Sequence, residues 1–138
     1  MQKAYRIVAA EKPDWEVIGG GISNFNQQKA GEDKGRNLCF VICDPDDSVV
    51  GGVIGSIFWK WLHVDLMWIR EDLRGQGYGQ HLLTSLEEEA HKQGVKYAYL
   101  DTFSFQAPEF YKKYGYRVFG ELADFPSGHQ LYFMTKEL

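Results

Sequence analysis

The stretch Leu73–Gly79, LRGQGYG, separates an apolar run, Val64–Ile69, from an amphipathic segment that follows it. Three of its seven residues are glycines, which allow a tight turn and the close approach of a ligand to the backbone. In the next segment, apolar residues recur at helical spacing at Leu82, Leu83, Leu86 and Ala90. The stretch therefore predicts a strand, a glycine loop and a helix that starts at Tyr78 and ends at Gly94.

The glycine loop predicts an anion site. A loop that opens a helix presents backbone N–H groups at the positive end of the helix dipole, where phosphate oxygens bind well. The spacing excludes the dinucleotide fingerprint, because Gln80 stands where the third glycine is needed, and no Lys-Ser or Lys-Thr pair follows to complete a P-loop. A tight turn without a ligand would need the same glycines, so the loop alone leaves both interpretations open.

Length and charge limit the class of protein. With 138 residues, 44% of them hydrophobic, we expect a single domain spanning residues 1–138. The net charge is −4 and the basic residues are scattered, which argues against a nucleic-acid partner. No apolar run is long enough to span a bilayer, and residues 1–15 lack the order of a signal peptide. These features predict a cytoplasmic protein with no membrane association and a small partner.

The rest of the chain predicts alternating helices and strands. Cys39 and Cys43 share one face of a strand, and we expect them to be small buried residues rather than a disulfide or a metal site. The histidines His81, His91 and His129 lack zinc-ligand spacing, so no metal is inferred. The other expected elements are a strand at residues 4–10, a helical region at 14–33 interrupted by glycines 19–21, a hairpin at 37–61, strands at 62–69 and 95–103, a short helix at 107–115 and two antiparallel strands in 116–138.

The loop also resembles a known motif. RGQGYG fits the pattern [QR]-x-x-G-x-[GA] and, with its strand and helix, is similar to motif A of the GNAT superfamily of N-acetyltransferases. In that family, the loop amides surround the pyrophosphate of acetyl-CoA. The resemblance implies that this cosubstrate is held by Arg74, Gly75, Gln76, Gly77, Tyr78 and Gly79.

A second segment strengthens the resemblance. Ser104–Tyr116, SFQAPEFYKKYGY, is similar to the family pattern N-x-x-A-x-x-x-Y-x-K-x-G-[FY], which it matches at Ala107, Tyr111, Lys113, Gly115 and Tyr116. Ser104 stands where the family commonly has an asparagine that holds the pantetheine arm, and Gln106 is the candidate to replace it. The resemblance implies an α/β (α+β) GNAT fold, with a mixed, mostly antiparallel central sheet flanked by helices and splayed fourth and fifth strands.

The resemblance assigns two further roles. Backbone groups of Met67, Trp68 and Ile69 would bind pantetheine and polarise the thioester carbonyl where the strands part. Tyr111 matches the tyrosine that protonates the departing thiolate; without the resemblance, an aromatic residue between Phe110 and Tyr114 would be assigned to the core.

The general base is a choice between two neighbours. His63 and Asp65 share one strand face by the period of two, and groups near this point often serve as the base in the family. His63 is the first choice because imidazole titrates near neutral pH. A solvated Asp65 and a half-buried structural His63 are the alternative.

Two tryptophans have no assigned role. Trp59 and Trp61 would share a strand face if the hairpin strand continued through them, and an acceptor groove, core packing and the interface of a homodimer are all open.

The predicted function is acetyl-CoA-dependent N-acetyl transfer to a primary amine of a small molecule or peptide, without a covalent intermediate. A CoA-binding module used for sensing or assembly is the alternative, since it would need the loop but not Tyr111 or a base. A nucleotide-binding domain is a third interpretation. The sequence does not identify the acceptor.

Overall fold

The computed structural model describes residues 4–138. The chain divides into two units, one ending at Asp33 and one running from Lys34 to Leu138. The first unit contains helix α1, Trp15–Ala30, which the Asp14 carboxylate caps by accepting a hydrogen bond from the Val17 N–H at 3.0 Å. The glycines at 19–21 do not interrupt α1, contrary to the expectation. Glycine weakens a helix but, unlike proline, keeps its N–H and does not clash with the preceding turn.

The second unit is a six-stranded sheet with two helices. The strands lie in the order β1-β2-β3-β4-β6-β5, and β3–β4 is the parallel pair among antiparallel neighbours. This architecture confirms the predicted fold class. Its elements are β1 (Arg36–Cys43), β2 (Val49–Phe58), β3 (Trp61–Ile69), a 3₁₀ turn (Glu71–Leu73), α2 (Tyr78–Lys92), β4 (Tyr97–Phe103), α3 (Pro108–Lys113), β5 (Arg117–Ala123) and β6 (Gln130–Glu137).

Helix α2 packs against β1, β2 and β3, and the core lies between this helix and the sheet. The four apolar residues predicted on one face of α2 are all buried, which confirms the helical periodicity. Gly94 follows the helix with φ +85°, as expected for a terminating glycine. The strand residues of the core include Val53, Ile57, Leu62, Val64, Ala98, Leu100 and Met134. We call the sheet face opposite α2 the outer face.

Strand β3 contains a bulge at Asp65. The residues on either side of Asp65 pair with consecutive residues of β2, so Asp65 is an extra residue in β3. The bulge shifts the alternation of the strand by one position. The core-facing residues are Leu62 and Val64 before the bulge, and Met67 and Ile69 after it.

Strands β3 and β4 part after a short contact. Trp61–His63 pair with Tyr97–Tyr99, and no pairing between the two strands continues beyond these residues in the described sheet. β4 goes on to pair with β6 along its full length. β3 and β4 are the strands that the sequence predicts as the fourth and fifth, and they are numbered third and fourth because the strand expected at 4–10 does not form. The expected splay between these two strands is confirmed.

Three further local predictions were wrong. Residues 4–10 form no strand, although their apolar pattern suits one, because a strand also needs a hydrogen-bonded neighbour. Trp59 does not share a strand face with Trp61: it lies in the β2–β3 turn with φ +46°. Cys39 and Cys43 share a face of β1, but both are exposed, because the alternate residues of β1 pack against the core.

No helix in residues 4–138 has the length and apolar character needed to cross a membrane.

Candidate active site

Two glycines give the loop before α2 its shape. Their φ angles are +74° at Gly75 and +89° at Gly77, a region that side-chain-bearing residues rarely adopt. Apart from the adjacent residues in the chain, no heavy atom of residues 4–138 lies within 4 Å of the position that a Cβ would take at either glycine. The backbone of the loop is therefore accessible to a ligand.

The first turn of α2 has backbone donors without partners. Gly77 is the N-cap, and no side chain caps the helix. The N–H of His81 donates to the Gly77 carbonyl at 3.2 Å, whereas those of residues 78–80 have no hydrogen-bond acceptor in the described part of the chain. These donors stand at the positive end of the helix dipole and suit phosphate oxygens.

Two side chains of the loop hold it against the preceding elements. Arg74 Nε donates to the Ile69 carbonyl at 2.8 Å, and Gln76 Nε2 donates to the Asp72 carbonyl at 3.0 Å. Both side chains thus fix the loop to the end of β3 and to the 3₁₀ turn. The Arg74 N–H also donates to the Glu71 carbonyl at 3.2 Å. The backbone N–H of Gln76 has no acceptor in the described part of the chain and is left for a ligand.

Gly79 brings the two sequence motifs together. A Cβ there would lie 3.1 Å from Phe110 Cε1 and 3.5 Å from Ile69 Cδ1. The start of α2 therefore packs directly on α3 and on the end of β3. This contact, and not open space, explains the need for glycine at position 79.

The backbone of Met67, Trp68 and Ile69 lies in the splayed part of β3. These residues pair with β2 on one side, at Val53, Gly52 and Gly51, and have no strand partner toward β4. The edge of β3 that faces the gap between β3 and β4 is the edge at which the resemblance predicts contacts with pantetheine. Those contacts stay a prediction.

His63 and Asp65 lie together at the point where the strands part. His63 Nδ1 is 2.5 Å from Asp65 Oδ1, and about a quarter of each side chain is exposed. Because a carboxylate only accepts hydrogen bonds, Nδ1 carries a proton, and in the neutral form of the ring Nε2 is the nitrogen left to accept another. Nε2 is therefore the candidate proton acceptor of the pair, and its role as the general base stays a prediction.

Ser56, which the sequence did not single out, holds the Asp65 carboxylate. Ser56 Oγ donates a hydrogen bond to Asp65 Oδ2 and lies 3.3 Å from Asn37 Oδ1. Asn37, Ser56 and His63 are paired in register across β1, β2 and β3. This pairing joins residues that are far apart in sequence, so it could not be found from local spacing.

The series of residues paired in register across β1, β2 and β3 continues onto β4, where Tyr99 pairs with His63. The ring of Tyr99 lies against that of His63, with centroids 4.6 Å apart and an interplanar angle of 30°. Burial raises the pKa of Tyr99, and the nearby Asp65 carboxylate raises it further. Tyr99 therefore contacts the candidate base as a neutral phenol.

Tyr111 is buried in α3, with 7% of its surface exposed. Its ring packs edge-to-face on Phe110 at 5.2 Å and on Tyr116 at 5.8 Å. Burial raises the pKa of Tyr111 to about 12. The hydroxyl therefore keeps its proton at neutral pH, as a general acid must.

The glycine loop and the Ser104–Tyr116 motif lie in one region of the structure, because Gly79 packs on Phe110. A comparison of the sequence with known families identifies the family. The sequence profile of the acetyltransferase (GNAT) family matches residues 3–116. The chain belongs to that family. Its members take the acetyl group from acetyl-CoA, and the chain is an acyltransferase.

Individual GNAT relatives agree with this assignment. An acetyltransferase of Agrobacterium fabrum is 38% identical over 121 residues, which cover 88% of each protein. Blasticidin-S acetyltransferase of Streptomyces morookaense is 37% identical over 97 residues, covering 70% of this chain and 71% of that protein. A crystal structure of an acetyltransferase from Bacillus cereus superposes with a TM-score of 0.90 at 34% identity, covering 97% of this chain and 98% of that one.

The position of the usual GNAT asparagine is filled by a structural serine. Ser104 Oγ accepts from the Gln130 N–H at 3.1 Å, while the Ser104 N–H donates to the Gln130 carbonyl at 2.8 Å. Gln106 Oε1 accepts from the Phe103 N–H at 2.8 Å. Both side chains therefore stabilise the β4–α3 loop. A contact with pantetheine, which stays a prediction, would have to use the side-chain atoms that these hydrogen bonds leave free. Ala107 begins α3 as its N-cap residue.

Within residues 4–138, no group of three or more His, Cys, Asp or Glu side chains is arranged to hold a metal ion.

The glycine loop gives a testable contrast within this GNAT domain. Gly77→Val should weaken acetyl-CoA binding, because φ +89° disfavours any side chain and valine would occupy the open space beside the loop. Gly79→Ala should instead lower the free energy of unfolding, because the new methyl would press on the Phe110 ring. Calorimetric binding and urea unfolding of both variants separate the two effects. Unchanged acetyl-CoA affinity in a folded Gly77→Val protein would limit that glycine to the turn.

Proposed function

We propose that this acetyltransferase transfers the acetyl group of acetyl-CoA to a primary amine of a small molecule or peptide by direct attack. The observation that carries the proposal is the His63–Asp65 pair at the end of the paired part of β3, beside the gap between β3 and β4. A base at this gap, an anion-binding loop before α2 and a protonated tyrosine on α3 are the parts that direct transfer needs.

Each part of the proposed reaction is assigned to residues of this chain. The backbone of the loop at 75–79 holds the pyrophosphate, and the free edge of β3 at 67–69 holds the pantetheine arm and polarises the thioester carbonyl. His63 Nε2 takes a proton from the acceptor nitrogen as the C–N bond forms. The C–S bond then breaks, and Tyr111 gives its proton to the thiolate. Asp65 stabilises the imidazolium that results.

Of the two acceptor classes in this proposal, small-molecule amines are to be tested before peptides. One relative at 37% identity is a blasticidin-S acetyltransferase, so blasticidin S is the first acceptor to test. The peptide alternative would be favoured by turnover of a protein N-terminus in the same screen. The single-domain organisation, the cytoplasmic location and the homodimer stay predictions of the sequence.

Two measurements test the proposal together. Acetyl-CoA should raise the melting temperature with the logarithm of its concentration, as a ligand bound only by the native state does. Release of CoA should accelerate when blasticidin S, a polyamine or an amino acid is added. A melting shift without turnover on any amine would favour a CoA-binding module, and no shift at millimolar acetyl-CoA would refute the cosubstrate assignment.

A further inference from the structure

A cavity of about 610 Å³ opens on the outer face of the sheet. This volume is in the range of small-molecule sites, which are typically lined by aromatic side chains with a few polar groups. The cavity is lined by Trp61, Tyr97, Tyr99, Arg117, Phe119, Thr135, Lys136 and Glu137. Half of these residues are aromatic.

The aromatic lining leads directly to the candidate base. Trp61 stacks on Tyr97 with centroids 4.9 Å apart and an angle of 25°, and it meets Tyr99 edge-on at 6.0 Å. Tyr99 in turn lies against the His63 ring at 4.6 Å. A continuous series of rings therefore runs from the cavity to His63.

The cavity also has polar groups that the fold does not use. Neither Arg117 nor Glu137 takes part in an ion pair among residues 4–138. The Thr135 hydroxyl, in contrast, donates to the Ala98 carbonyl at 2.9 Å. The charged groups of Arg117 and Glu137 are thus available to polar substituents of a ligand.

We propose that this cavity is the acceptor subsite and that it selects amines carrying a planar aromatic ring. The ring stacks among Trp61, Tyr97 and Tyr99, and a short spacer places its primary amine at His63 Nε2. The inference rests on the proposed function. An aromatic ring fits better than an aliphatic chain because flat rings gain from offset and edge-to-face contacts beyond their buried area.

A matched pair of amines tests the ring. 2-Phenylethylamine and 2-cyclohexylethylamine have the same spacer and amine, but only the first has a planar ring. The phenyl compound should have the higher kcat/KM. Trp61→Leu should lower that value about 2- to 13-fold, while leaving the cyclohexyl value and the KM of acetyl-CoA near those of the wild type. Phe125→Leu, which changes an exposed aromatic residue in the β5–β6 turn that does not line the cavity, is the matched control and should alter the kcat/KM of neither amine.

The outcomes separate this inference from the proposed function. Equal kcat/KM for the two amines, or equal losses for both in Trp61→Leu, would overturn the ring subsite while acetyl transfer stands. If neither amine is acetylated, saturation-transfer NMR with 2-phenylethylamine decides the matter. Ring-proton contact that Trp61→Leu abolishes would support the subsite although the proposed function had failed, and no contact with the wild-type protein would overturn it.

Discussion

Tyr111→Phe is expected to lower kcat about 10²- to 10⁴-fold, the usual cost of losing a positioned general acid. The substitution keeps the ring and its contacts with Phe110 and Tyr116, so the fold and the affinity for acetyl-CoA should change little. The loss should therefore be confined to the chemical step. Steady-state kinetics and calorimetric binding of acetyl-CoA on the same preparation measure the two quantities.

Tyr116→Phe is the matched control for this prediction. Tyr116 is also buried, but its hydroxyl donates to Glu87 Oε2 at 2.7 Å, and Lys136 Nζ lies 2.9 Å from Glu87 Oε1. Burial and then the Glu87 carboxylate raise the pKa of Tyr116, which makes it a structural hydrogen-bond donor. This variant should lose stability and keep its kcat. If Tyr111→Phe stays within about twofold of the wild-type kcat where acetyl transfer limits turnover, Tyr111 belongs to the core alone.

The pH dependence gives a second check on Tyr111. Its pKa is raised from 10 to about 12 because burial disfavours the phenolate. The protonated form therefore persists as the pH rises, and ionisation of Tyr111 should not reduce kcat between pH 7 and about 10. A proton donor with the ordinary value would begin to ionise within that range. An alkaline decline of kcat centred below pH 10 would have to come from another group.

The features that the sequence predicted correctly are encoded in short segments. α2 follows from four apolar residues at helical spacing, and its glycine loop and terminating Gly94 come from local backbone preferences. The strand-loop-helix order then identified the family, which implied the splay of β3 from β4. Sequence reasoning succeeded where one segment and its neighbours decide the conformation.

Most of the errors and omissions depend on pairing between distant segments, whereas the interruption wrongly expected at the glycines of α1 was a local error. The exposure of Cys39 depends on which face of β1 meets the core, and alternation alone does not choose between the two faces. The bulge at Asp65 is visible only in the register of β2 against β3. The same register brings Ser56 to the Asp65 carboxylate and Asn37 to Ser56. A serine within a strand gives no local signal for such a role.

His63→Ala should lower kcat/KM about 10²- to 10⁴-fold at neutral pH, as expected for loss of a general base. At this pH the acceptor amine is mostly protonated and must lose a proton to attack the thioester. As the pH rises, a growing fraction of the amine is already neutral, so the defect should shrink. A pH profile of kcat/KM for wild type and variant, measured with one amine, tests this convergence.

Variants of the supporting residues show whether the base is His63 itself. Asp65→Asn keeps an acceptor for His63 Nδ1 but removes the charge that stabilises the imidazolium, so it should give a smaller loss than His63→Ala. Ser56→Ala removes one hydrogen bond to the Asp65 carboxylate and should give the smallest loss of the three. The Asp65→Asn loss should also diminish at high pH. If His63→Ala loses activity by the same factor at every pH while Asp65→Asn shows the convergence, the carboxylate takes the proton and the imidazole only contacts Tyr99.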